Sequence, residues 1–113
     1  MTTRSYPPSV ERALFMLSRG RCYEPTCQVP VMRLINGEPI ANVQIAHICA
    51  HDDNGPRCAA RFSKEERRSF RNLILLCKPH HTLVDRKRNE RVYSEEVLRS
   101  WKQQREGVFG AQL

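Results

Sequence analysis

Two short segments constrain this chain more than any other feature. Four residues separate Cys22 from Cys27, and two separate Cys77 from His80. Thiolate and imidazole donors held in pairs at C-x4-C and C-x2-H spacing suit a tetrahedral zinc ion, whose Zn–S bonds of about 2.3 Å tolerate little slack. A chain of 113 residues is one domain, and with 40% apolar residues its core is modest. A structural Zn2+ on Cys22, Cys27, Cys77 and His80 would supply what the core lacks, about 10–16 kcal/mol by comparison with zinc-finger peptides. Two other readings of the cysteines stand beside this one. Cys77 is also a small apolar side chain next to Leu76 and could simply pack there. Cys49 and Cys58, at a C-x8-C spacing less typical of a knuckle, could form a second site with His47 or His51. The simplest expectation is that Cys49 packs against the core and Cys58 lies in a loop.

Five cysteines is an odd number, and Met1-Thr2-Thr3-Arg4 leads into prolines rather than an apolar run. A secretory leader is not expected from such a stretch. The longest apolar run, Leu73 to Cys77, is far too short to cross a bilayer. The expectation is a cytoplasmic protein with no membrane partner, its thiols on metal rather than in disulfides. The formal charge is +7, with 15 arginines against 4 lysines. Basic residues gather at Arg57, Arg61, Lys64, Arg67, Arg68 and Arg71, and again at Arg86, Lys87, Arg88 and Arg91. Such a field attracts polyanions, and guanidinium forks match phosphate well. A solvated positive face without a ligand has the same composition.

Periodicity and punctuation divide the chain into an arm (1–8), one domain (9–106) and a tail or linker start (107–113). Ser9 is placed to cap a helix over about 10–19 that Gly20 stops. A tight knuckle, 22–27, follows. A strand over 29–35 runs into a turn at Asn36-Gly37, and a second strand over 43–48 carries His47 near its end. Residues 49–62 read as a polar loop broken at Gly55-Pro56. Ser63-Lys64-Glu65-Glu66 is a capping box for a short basic helix that stops before Asn72. Leu73–Leu76 is a buried strand. Pro79 fits the first turn of a helix that carries His80 and His81 and runs to about Val84. Ser94 caps a last helix to about Arg105, with Val97, Leu98 and Trp101 turned inward. The class is α+β.

Taken in order, Cys22-x4-Cys27, Ile45-Ala46-His47-Ile48, Asn72 through Cys77, and Cys77-x2-His80-His81 resemble the HNH endonucleases, a family with the ββα-metal fold. The likeness spans residues 22–81. It implies a small ββα-metal core with flanking helices and a structural zinc site, usually closed by a cysteine where this chain has His80. It also implies metal-dependent hydrolysis of phosphodiester bonds, with double-stranded DNA as partner. By the same resemblance His47 is the general base, Asn72 steadies the active-site loop or the base and in some members ligates metal, and His81 helps hold a catalytic divalent ion. The stretch Ala46-His47-Ile48 with Gly55-Pro56-Arg57 is similar to the nuclease domains of bacterial antiphage effectors. Those carry a C-terminal nucleotide-sensing domain, so a fused or associated regulatory domain is expected.

The chemistry is consistent with those roles. A neutral imidazole suits proton abstraction from water near neutral pH, and a divalent ion relieves phosphate charge and assists the leaving oxygen. Ala46 departs from the family, many members of which have a metal-binding aspartate there. Hard Mg2+ prefers oxygen donors. Either another carboxylate (Asp52, Asp53 or Asp85) fills in, or the ion is softer, Mn2+ or Ni2+. Asp85 lies four residues past His81 and so on the same helical face; it could equally pair with Arg88. His51 is a further candidate for a contact near the ion or phosphate. Arg67, Arg68 and Arg71, in the basic stretch before Asn72, are the candidate phosphate contacts. No base-reading pattern is evident, which implies low sequence specificity. Two other functional classes fit the same residues: a non-catalytic zinc module that binds nucleic acid, and a zinc-stapled interaction domain docking through Trp101 and the last helix.

Overall fold

The first helix is set by two prolines. In the computed structural model, which describes residues 6–50, 57 and 63–112 and the side chains of those up to 107, helix α1 spans Pro8–Leu17 with Pro7 as its N-cap. Proline fits the first helical position because its missing N–H has no partner there. The helix therefore starts at Pro8, and Ser9 lies inside it rather than capping it. At the other end the Ser18 hydroxyl donates to the Phe15 carbonyl (2.7 Å) and accepts from Gly20 N–H (3.1 Å). Leu14 is buried on the inner face.

Strands β1 (Met32–Ile35) and β2 (Glu38–Ala41) form an antiparallel hairpin. Asn36 and Gly37 both have positive φ, 53° and 82°, the type I′ geometry whose twist matches paired strands. The hairpin is exposed along both strands. It is tied to the body where Val31 N–H donates to the Gly20 carbonyl.

The central pair is β3 (Gln44–His47) with β4 (Leu73–Leu76), antiparallel, with Gln44 opposite Leu76 and His47 opposite Leu73. All four residues of β4 are buried, as expected for a continuous apolar run covered on both faces. Between these strands lies α2 (Lys64–Arg67), which starts with the expected capping box: Glu66 N–H donates to Ser63 Oγ, and Ser63 N–H donates to Glu66 Oε1. The Ser63 N–H, and after it the Ser63 hydroxyl, hold the Glu66 carboxyl below its usual range. A 3-10 turn, Phe70–Asn72, leads directly into β4. Helix α3 (Lys78–Asp85) follows β4 with a proline in its first turn and packs on both β3 and β4. The result is a small α+β domain with a ββα unit at its centre.

Helix α4 (Glu95–Gln112) packs against α1 and is kinked at Gly107, whose φ of 64° and ψ of −147° are not helical. A side chain there would be strained, and its Cβ would lie 3.2 Å from Arg19 Nη2. Leu98 and Trp101 are buried as the amphipathic pattern predicts, and Val97 is partly buried against them. Behind them sits a buried polar cluster. Lys102 Nζ donates to the Leu73 carbonyl (2.7 Å) and to Glu106 Oε2 (2.8 Å), and the Tyr23 hydroxyl donates to the same carboxylate oxygen (2.6 Å). Burial lowers the Lys102 pKa, and burial together with the neighbouring carboxylate raises that of Tyr23. Among the described residues no helix is long and apolar enough to cross a membrane.

Candidate metal centre and active site

The two cysteine-bearing segments meet. Donor atoms of Cys22, Cys27, Cys77 and His80 all lie within 4.8 Å of one another. Cys27 Sγ is 3.9 Å from Cys77 Sγ, and His80 Nδ1 is 3.7 Å from Cys22 Sγ and 3.1 Å from Cys77 Sγ. Edges of a tetrahedron with zinc–ligand bonds of 2.0–2.3 Å are about 3.3–3.8 Å, so this donor set fits such an ion. Backbone joins in: Cys77 N–H points at Cys22 Sγ (3.4 Å), and Tyr23 N–H donates to the Leu75 carbonyl. Glu24 Oε2 stands 3.5 Å from His80 Nε2. A carboxylate on the outer nitrogen leaves Nδ1 as the ligand atom and orients the ring. Without an ion, burial pushes the Cys22 thiol up to about 12 and raises Cys77 as well. A cation reverses that preference, because coordination requires thiolate. The cluster is a Cys3His site of structural-zinc type, with one cysteine pair on the knuckle after α1 and the other ligands at the β4–α3 junction.

Cys49 is not one of these thiols. It is buried and disulfide-bonded, which corrects the expectation that the cysteines stay out of disulfides. Cys58, His51, Asp52 and Asp53 lie outside the described residues.

His47 ends β3, almost fully covered at 3% exposure. Its neighbour Asn72 clamps the turn that follows. Cys49 N–H donates to Asn72 Oδ1 (2.7 Å), while Asn72 Nδ2 donates to the Cys49 carbonyl and the Arg67 carbonyl, both at 2.8 Å. Ile48 N–H also donates to the Asn72 carbonyl (2.9 Å). The amide is thus spent on backbone, fixing the segment that leaves His47. His47 Nε2 lies 3.1 Å from the Tyr6 hydroxyl. His81 occupies the first half of α3, half-buried, with Nε2 at 3.8 Å from Asp85 Oδ2. The i,i+4 spacing places this carboxylate as the sequence suggested. Ala46 is wholly buried in the core cluster.

Two arginines read as part of a basic field are interior. Arg67 is 5% exposed, so its guanidinium is not on the surface with those of Arg68 and Arg71, which are exposed. Arg57 is buried with a positive φ of 62°. Its guanidinium donates to the carbonyls of Ile48 (2.6 Å), Val84 (2.9 Å), Tyr93 (3.2 Å) and His47 (3.3 Å). Burial lowers its pKa, against the pull of Asp85 and Glu90. One side chain thus ties the end of β3 to α3 and to the segment before α4. Arg57 was missed as a site residue because charge alone suggested surface. The signal available was its place directly after Gly55-Pro56.

A comparison with curated proteins finds no match to the chain. A family profile described as HNH endonuclease matches residues 23–88, more than half of the chain, and takes in most of the Cys3His cluster, His47, Asn72 and His81. With that match, the ββα unit and the metal cluster, the chain belongs to the HNH endonuclease family.

Proposed function

We propose that this protein is a metal-dependent endonuclease that hydrolyses phosphodiester bonds in double-stranded DNA with low sequence specificity. The observation that carries this reading is the Asn72 clamp. Three side-chain hydrogen bonds to backbone hold the turn after His47, more than a core histidine needs and what a precisely held base does need. His47 accepts the proton of the attacking water. Arg57 holds the His47 and Ile48 carbonyls and Asn72 holds Cys49, which fixes the backbone that leaves His47.

His81 and Asp85 are the residues that would hold the catalytic ion, because an exposed carboxylate beside a half-buried imidazole leaves room for further ligands. The ion, Mg2+, Mn2+ or Ni2+, would supply Lewis-acid relief of phosphate charge. Asp85 offers the hard oxygen that Ala46 lacks. Arg68 and Arg71 would contact phosphates without reading bases. An unrestrained nonspecific nuclease damages its own cell, so activity in the cytoplasm calls for gating by a fused or associated regulatory domain, as the likeness to antiphage effectors suggests. The second reading, a non-catalytic zinc module binding nucleic acid, is favoured by one fact, the near-complete burial of His47.

A plasmid-nicking assay with EDTA, Mg2+, Mn2+ and Ni2+ separates the two. Conversion of supercoiled to nicked and linear plasmid with added metal, lost in EDTA and in His47→Ala, is expected. Binding without cleavage of plasmid, single-stranded DNA or RNA under every metal would establish the second reading.

A further inference from the structure

We infer that Tyr6 is a positioning residue for His47, its hydroxyl accepting the Nε2–H so that the basic lone pair sits on Nδ1. The inference rests on the nuclease reading for its catalytic meaning, but the contact itself stands apart from it. The Tyr6 hydroxyl lies 3.1 Å from His47 Nε2 across 41 residues of sequence. The two rings are 6.0 Å apart at 42°, so they meet through the hydroxyl rather than by stacking.

Tyr6 is not on a loose strap. The next residue, Pro7, is the N-cap of α1 with φ −56° and ψ 140°, and Pro8 is the first helical residue. Proline fixes φ at each of these positions, and α1 packs on β4 and α4. The phenol is therefore aimed by the fold. Its other flank carries the Arg68 guanidinium, 5.9 Å from the ring centroid.

A neutral imidazole has one N–H and one lone pair, and the partner of one nitrogen decides the role of the other. A phenol can donate or accept. Only acceptance suits a base. If Tyr6 donated to Nε2, the lone pair would be occupied. If it accepts, the ring is the Nε2–H tautomer with its lone pair on Nδ1, and the Nε2–H bond strengthens when the ring becomes imidazolium, as charge-assisted bonds do. The main chain of His47 is already held through its carbonyl by Arg57. Tyr6 acts on the ring itself, because its hydroxyl reaches Nε2.

The test uses the full chain with 15N-labelled histidine and the Tyr6→Phe variant, which keeps the ring and removes only the hydroxyl. In the wild type, ring 15N shifts should show His47 as the Nε2–H tautomer. In Tyr6→Phe the shifts should move toward a mixture, with the melting temperature nearly unchanged. On plasmid, kcat should fall about ten- to a hundredfold, the range for losing a group that orients a reacting side chain, with KM changed less than about twofold. An unchanged tautomer with unchanged kcat overturns the inference, as does a rise in kcat, which would make Tyr6 a cover over the base. Absence of cleavage by the wild type would sink the nuclease reading instead, and the 15N shifts alone would then decide whether Tyr6 sets the His47 tautomer.

Discussion

His80 and His81 are adjacent yet have separate surroundings, because neighbours on an α-helix point about 100° apart. His80 turns to three cysteines and Glu24, and His81 to Asp85. The C-x2-H spacing pointed to His80 but not to the direction its ring takes. The register of α3 against β4, a tertiary fact, selects His80 for the cluster. This division gives two predictions. Cys77→Ala should abolish zinc binding and unfold the domain, since a buried four-ligand site cannot lose a thiolate without losing its fold contribution; native protein without zinc by metal analysis, or a fully stable variant, would refute the assignment. His81→Ala and His47→Ala should both keep zinc and melting temperature near wild type while cleavage falls, by about 10²–10⁴-fold for the loss of a general base. Normal cleavage by a folded His47→Ala protein would remove it from that role. Ligand identity was legible because ligand chemistry is local. The burial of Arg57 and Arg67 was not, because a charged side chain goes inside only where backbone carbonyls or other partners await it, and those carbonyls come from distant segments.

Elements were legible where a short-range rule governs them. The Asn36-Gly37 turn, the Ser63–Glu66 capping box and the buried run Leu73–Leu76 each rest on chemistry within a few residues. The start of α1 moved by two residues because Pro8 at the first position outweighs Ser9 as a cap. Helix α4 shows what pattern cannot give. Its apolar face was predicted, but its anchorage is polar: Lys102 and Glu106 are buried and reach Leu73 and Tyr23, while Arg105 Nη2 donates to the Cys22 carbonyl (2.9 Å). The helix is thereby fastened both to the start of β4 and to the metal knuckle. Glu106 Oε1 has no partner among the described residues, so the carboxylate depends on Lys102 and Tyr23. Lys102→Met should therefore cost about 3–5 kcal/mol, the usual penalty for leaving one member of a buried ion pair alone. Adding Glu106→Leu should recover much of that loss. Thermal or urea unfolding reads both, and a Lys102→Met protein as stable as wild type would mean that Tyr23 alone satisfies the carboxylate.

Across the whole molecule, charge now divides into two kinds. The formal +7 includes cations that serve the fold, such as Arg57, Arg67, Lys102 and Arg105, all buried, and cations that face solvent. Only the second kind can neutralise phosphate. Arg68 is the informative member. It is exposed and lies over Tyr6, which touches His47, so a phosphate drawn to Arg68 is drawn to the neighbourhood of the proposed base. Affinity for duplex DNA should fall steeply as salt rises, through counterion release. Arg68→Gln should weaken binding about equally on unrelated sequences and reduce the slope of log K against log salt by about one. Arg67→Gln should behave differently, lowering the melting temperature while leaving that slope nearly unchanged, because its guanidinium is interior. Binding isotherms at several salt concentrations on two unrelated duplexes distinguish these outcomes. A loss confined to one duplex would make Arg68 a reader of bases, and a reduced slope in a fully stable Arg67→Gln protein would return that side chain to the DNA-facing surface.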